Sequence, residues 1–345
     1  MGNRVLRGLP VLLLFLALLA GSCDENRSGI KKLSTADSLK MAREELTRKI
    51  GKDETNPNLY NLRAKVYLLE HEFDHAMADI NKAISLDPKK PVFYVTLSDI
   101  YLLMGKPGNC GEALQKALTL DPNHREALIK EAKLSLVIKE YPQTFEYVKR
   151  VLQIDKINPE AYLIRGIALL ETGDTAKAVQ DFMMVVNQDQ QNFEALMELG
   201  ELYSIKKDKI AIDYFRSALN VRPKSKDALY MLGIFYQEND QPDKAIQTYL
   251  ILEKADSTFR NAPYNIGYIY LVQIRDFGKA IEFFTHSIKI DPTYADAWYN
   301  RGLAYEHSNN LGKAYDDYQK ALQVKTNYDK AIEGLNRLDK AGFKK

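Results

Sequence analysis

The sequence is poor in the features that most narrowly constrain function. It has two cysteines in 345 residues, Cys23 and Cys110, which excludes a disulfide framework. Its 48 lysines and arginines stand against 46 acids, and so near a balance gives no electrostatic reason to expect nucleic acid as a partner. The apolar run from Leu9 to Ala20 is too short for a hydrocarbon core about 30 Å thick, so it does not read as a spanning helix. No strand pattern is visible, so no glycine-rich phosphate loop follows one, and serine is scattered without a nucleophile elbow or a partnering base. What remains is ordinary apolar content, enough for one large core or a long array of small ones, with no implied cofactor and no small-molecule substrate.

The first segment has a clear pattern. Arg4 and Arg7 precede the apolar run, and the small residues Ala20, Gly21 and Ser22 lead directly into Cys23. This resembles the lipobox of bacterial lipoproteins, although Ala20 stands where that family usually has leucine and Leu19 lies one place earlier. The resemblance implies a signal peptide over 1–22, acylation of Cys23 and a lipidated tether over 23–35. The mature protein is then exported and lipid-anchored to the bacterial cell envelope, at the outer membrane or facing the periplasm. Two or more acyl chains anchor stably where one binds only reversibly. Loss of residues 1–22 removes two arginines and no acid, leaving 46 charges of each sign, and acylation leaves Cys110 without a partner. N-myristoylation fails because Leu6 stands where that motif needs Ser or Thr.

Self-similarity dominates the rest of the chain. A helix-ending position recurs at Pro88, Pro122, Lys156, Gln190, Pro223, Ser257, Pro292 and Thr326, with a period close to 34. Eight repeats follow, at 57–90, 91–124, 125–158, 159–192, 193–225, 226–259, 260–294 and 295–328. The eighth position is always small (Ala64, Ser98, Ala132, Gly166, Gly200, Gly233, Gly267, Gly302), and so is the twentieth, from Ala76 to Ala314. Small residues let two helices cross closely, and large ones such as Tyr67, Tyr236, Phe182 and Phe215 fill the space around the crossing. Gly105, Gly173 and Asp240 fall between the helices of their repeats, Pro91, Pro159 and Pro263 fall at or near helix starts, and no proline interrupts a helix interior.

In the last repeat Trp298, Gly302, Tyr305, Ala314, Tyr318 and Ala321 stand at the spacings of the tetratricopeptide-repeat signature, so residues 36–341 resemble that family. The resemblance implies an all-α, right-handed superhelical solenoid of about eight helix-turn-helix repeats. Such arrays need caps. Residues 36–51, with Ala42 and Leu46 in register with a second helix, and residues 329–341, with Ile332, Leu335 and Leu338 on one face, are expected to supply them.

One catalytic pattern requires weighing. His71-Glu72-Phe73-Asp74-His75 matches H-E-x-x-H, in which two histidines on one helix face bind zinc and the glutamate is the general base. Here it falls on the turn between the helices of the first repeat, with no third ligand and no protease core. A metal-dependent peptidase is the remote alternative, and His124, His286 and His307 lie in separate repeats without ligand spacing. Cys110 occupies a small-residue core position and reads as structural, so no catalytic or metal-binding residue is assigned.

The family resemblance places the fifth and ninth positions of each repeat in a concave groove. The fifth includes Ile129, Leu163, Met197, Tyr230, Tyr264 and Tyr299, and the ninth includes Ile234 and Tyr268. Aromatics of this kind anchor interfaces, although a fifth-position tyrosine also serves packing. The paired Lys and Asn of a carboxylate clamp are not reproduced in neighbouring repeats. The sequence therefore points to a protein-binding adaptor that holds a peptide or helix of an envelope partner, with a stoichiometric component of a secretion or pilus assembly machine as the alternative.

Overall fold

The computed structural model describes residues 35–343; the signal, Cys23 and nearly all of the tether lie outside the described residues. Among the described residues there are eighteen α-helices and no strand. They form two compact units that divide at Met184, inside the helix Thr175–Gln188. The first unit opens with α1 (Thr35–Ile50) and continues in pairs: α2 (Pro57–Leu69) with α3 (Phe73–Leu86), α4 (Pro91–Leu103) with α5 (Pro107–Leu120), and α6 (Arg125–Val137) with α7 (Tyr141–Ile154). It ends with α8 (Pro159–Glu171) and most of α9 (Thr175–Gln188). The second unit holds α10 (Phe193–Ile205) with α11 (Ile210–Val221), α12 (Lys226–Glu238) with α13 (Pro242–Ala255), and α14 (Asn261–Ile269) with α15 (Phe277–Ile290). It closes with α16 (Ala295–His307), α17 (Leu311–Val324) and the single α18 (Asp329–Lys340).

Each pair is punctuated in the same way. The fifteenth residue of each repeat, or its equivalent, adopts left-handed backbone, whether it is Gly105 or Gly173, or His71, Lys139, Lys207, Asp240, Arg275 or Asn309. At the turn between repeats a carboxylate takes over. Asp87, Asp121, Asp155, Asp189, Asp256 and Asp291 each accept the backbone N–H two residues on, at 2.8 to 3.4 Å, which folds the chain into the next helix.

The helix crossing shows size matching. A Cβ placed on Gly166, Gly200, Gly233, Gly267 or Gly302 would lie only 2.4 to 2.9 Å from the ring of Phe182, Phe215, Tyr249, Phe284 or Tyr318 in the paired helix. In the first three repeats the eighth residue is Ala64, Ser98 or Ala132, and the corresponding core residue is the aliphatic Ile80, Leu114 or Val148. Glycine is thus used where an aromatic ring must reach the other backbone, and a methyl or hydroxymethyl is kept where it need not.

The caps follow the same logic. Arg63 grips Asp79 through Nε and Nη2 at 2.7 and 2.8 Å and donates from Nη1 to Thr47 Oγ1 of α1 at 3.0 Å. Arg301 makes the same set with Asp317 and with Thr285 of α15. Helix α1 therefore does for the first repeat what a preceding second helix does elsewhere. At the other end the expected apolar stripe of α18 is rotated: Ala331, Gly334 and Leu338 are buried, Leu335 is half-buried and Ile332 is exposed. The cause is Gly334, whose bare Cα lets the helix settle on the far edge of the Tyr318 ring, opposite Gly302.

Both irregular repeats adjust next to the turn between their helices. The 33-residue repeat starts α11 one position late and shortens it to 12 residues. The 35-residue repeat absorbs its extra residue inside the end of its first helix, as a π-helical turn at Tyr270–Ile274.

Candidate partner-binding face

On the first unit the fifth-position residues are largely used up by packing. Ile129 and Leu163 are buried, as are Val95 and Asn61. Two of the neighbouring ninth-position residues are ion-paired: Asp99 Oδ1 accepts from Lys130 Nζ at 2.7 Å, and Lys133 pairs with Glu160. Burial pushes the Asp99 carboxyl up against the pull of Lys130. Beside them the buried Glu131 accepts from Gln115 Nε2 at 2.7 Å, and burial raises its carboxyl as well. Cys110 is buried in this core, its thiol pushed up to about 12 by burial, which leaves it inert as a nucleophile.

The second unit differs. Met197 is buried, but Tyr230, Ile234, Tyr264 and Tyr299 are half-buried and Tyr268 is exposed at 37%. Three of the tyrosines share one arrangement. Tyr230 lies 6.4 Å from Tyr249 and 5.3 Å, edge-on, from Phe259; Tyr264 lies 5.7 Å from Phe284 and 4.8 Å from Tyr294; Tyr299 lies 5.7 Å from Tyr318 and 5.8 Å, edge-on, from Tyr328. Each trio joins the fifth residue of the repeat, its second-helix core aromatic and its last residue, so these tyrosines both pack and face outward.

The third member of each trio was not picked out from the sequence, although Phe259, Tyr294 and Tyr328 recur with the repeat. Its position is informative. Among the first helices of the repeats, five are capped by a side chain just before the helix, with Asn56, His124, Asn158, Asn192 and Ser225 accepting from the first turn, while α4 after Lys90 has no such cap. In the last two trios that residue is Tyr294 or Tyr328, which makes no cap bond, and α14 after Phe259 has none either. A cap is worth about 1 kcal/mol, so the last repeats give up that stabilisation for an aromatic ring.

The hydroxyls converge as well. Tyr264 Oη accepts from Asn300 Nδ2 at 2.8 Å, linking α14 to α16, and Tyr328 Oη donates to Asp296 Oδ1 at 2.5 Å, linking the start of α18 to α16. Burial, reinforced by the Asp296 charge, raises the phenols of Tyr264, Tyr294 and Tyr328, which remain neutral donors and acceptors.

The H-E-x-x-H segment is split by the turn. His71 sits in left-handed backbone outside any helix, Glu72 precedes α3, and His75 lies within α3, stacked on Tyr67 at 5.1 Å. The two rings are therefore not successive turns of one helix, as a zinc-binding helix requires.

Tetratricopeptide-repeat models match residues 57–90, 92–124, 160–191, 214–247, 263–294 and 295–328. The chain is 27% identical over 197 residues to a DnaJ homolog subfamily C member 7 homolog of Dictyostelium discoideum, covering 57% of this chain and 33% of that one. It is 24% identical over 214 residues to a peroxisomal targeting signal receptor of Candida albicans, covering 49% and 36%. The chain thus spans about a third of the length of these relatives. In fold it is similar to the structure described as the functional characterization of Pseudomonas aeruginosa pilF, with a TM-score of 0.54, 18% identity, and 60% and 94% coverage. With its helices paired between the two capping helices among the described residues, and with repeat matches along more than half of its length, the chain belongs to the tetratricopeptide-repeat family of protein–protein interaction scaffolds.

Proposed function

We propose that this protein is a non-catalytic adaptor that holds a peptide or helix of an envelope partner on the first-helix face of its repeats, most strongly on α12, α14 and α16. The observation that carries the reading is the aromatic residue that closes each of the last three repeats against its fifth-position tyrosine, standing at the helix-cap position itself in Tyr294 and Tyr328, which builds an aromatic strip where packing alone is met elsewhere by smaller residues. Tyr and Trp anchors dominate interface energetics, and the rim of exposed Tyr268 beside half-buried rings suits a segment laid across several repeats. The likeness to a protein named as a targeting-signal receptor accords with a peptide ligand. In this reading the acylated Cys23 holds the adaptor on the envelope membrane.

The test is photo-crosslinking from position 268 in cells, with a photoreactive phenylalanine analogue in place of Tyr268. A partner captured there, and not from a control position at exposed Leu62, supports the reading. Capture from Leu62 alone, or from neither, overturns it.

A further inference from the structure

We infer that the tyrosine strip on α14, α16 and the start of α18 selects a cationic segment, with Asp296 as the group that receives its lysine or arginine. This rests on the docking reading above and specifies the chemistry of the occupant. The carboxylate lies in a collar of phenols. Tyr328 donates to it at 2.5 Å, and the phenols of Tyr264 and Tyr294 stand near enough to feel its charge. Its side chain is nevertheless 40% exposed. Asp296 and Tyr299 are three apart on α16 and so share a face, which puts the charge beside the ring a partner would cover.

The chain's own cations show what this surface attracts. Lys330, on α18, places its ammonium 3.8 Å from Asp296 and 6.0 Å from the centroid of the Tyr299 ring, although its side chain is 61% exposed. Arg260 lies 4.4 Å over Tyr294 while paired with Asp291, and Lys325 lies 4.8 Å over Tyr328. Three rings of the strip, Tyr294, Tyr299 and Tyr328, thus draw a cation to their electron-rich faces. Lys330 is the displaceable one: it is mostly solvated, and at 3.8 Å its ammonium is beyond hydrogen-bond distance of Asp296. An incoming lysine or arginine that carries its own apolar neighbours onto the tyrosines can take its place at Asp296 and desolvate the carboxylate further. An acidic segment would meet Asp296 and the ring faces with the wrong sign.

Two fluorescein-labelled ten-residue peptides serve as probes, one alternating lysine with leucine and the other glutamate with leucine, titrated against the full chain by fluorescence anisotropy. The lysine probe is expected to bind and the glutamate probe to bind at least about tenfold more weakly. Asp296→Asn keeps an oxygen for the Tyr328 hydroxyl, so the fold is retained, and it should weaken the lysine probe about tenfold while Asp296→Glu restores it. Lys330→Gln, by vacating the site, should tighten the same probe. Melting curves of all three variants establish that they are folded. Equal affinity for both probes, no binding of either, or an unchanged affinity for the lysine probe in Asp296→Asn overturns the inference. If a partner is still captured from position 268 in that case, the docking face stands and only its charge preference falls; loss of capture from position 268 removes the docking face itself.

Discussion

The size matching at the helix crossing makes a quantitative prediction. At Gly233 the missing Cβ would stand 2.4 Å from Tyr249 Cε1, about 1 Å inside ordinary contact, and Tyr249 is fully buried with its ring wedged between α12 and α13. Gly233→Ala alone must therefore push the ring or the helices apart, at about 1 to 3 kcal/mol. Tyr249→Leu alone opens space at the crossing and loses the hydroxyl's bond to Gln237 Oε1, at about 2 to 4 kcal/mol. The double substitution recreates the pairing found at Ser98 with Leu114, where a small side chain faces an aliphatic one. The added methyl then fills part of the space the ring vacated, and the double mutant should be more stable than additivity predicts by about 1 to 2 kcal/mol. Urea unfolding followed by the single tryptophan, Trp298, reports on the second unit, with helicity followed in parallel. A coupling within about 0.5 kcal/mol of zero would mean that the crossing relaxes freely, and the size-matching argument would fail.

Lys139 holds left-handed backbone at φ 62°, so Lys139→Gly should raise the unfolding free energy by about 1 kcal/mol, and a loss of stability would show that its side chain does something the turn needs. The carboxyl of Asp256 is held down to about 2 by the Thr258 hydroxyl, then by Lys226 and the Thr258 N–H. Because its folded value lies below the ordinary value of about 3.9, its contribution is present above that pH and is lost as pH falls toward about 2. Asp256→Asn should accordingly flatten the acid limb of urea midpoints between about pH 4 and pH 2, and an unchanged limb would refute this. Cys23→Ser should move the protein from the membrane to the soluble fraction with its helicity intact; sedimentation with membranes after a salt wash would show that something other than an acyl chain holds it.

The sequence by itself determined the repeat, its period, the pairing of helices and the size of the residue at each crossing, because a solenoid makes the same local contacts again and again. Each position meets the same neighbour at the same spacing, so a column of Gly and Ala or of aromatics states the packing directly. The turn assigned to His71-Glu72 was legible for the same reason, since glycine at the equivalent positions 105 and 173 announces left-handed backbone there.

Tertiary structure decided what depends on how far a side chain reaches and on what sits beyond its own repeat. Sequence position put Ile129, Leu163 and Met197 in one class with Tyr268, yet the first three are buried and the last is open. It gave no sign that Asp296 would meet a tyrosine 32 residues away, or that Asn300 would meet one 36 residues away. The rotation of α18 likewise turned on Gly334, whose missing Cβ matters only because the Tyr318 ring lies against it. Periodicity specifies which face a residue occupies, and only the packed neighbours determine how much of that face is left for a partner.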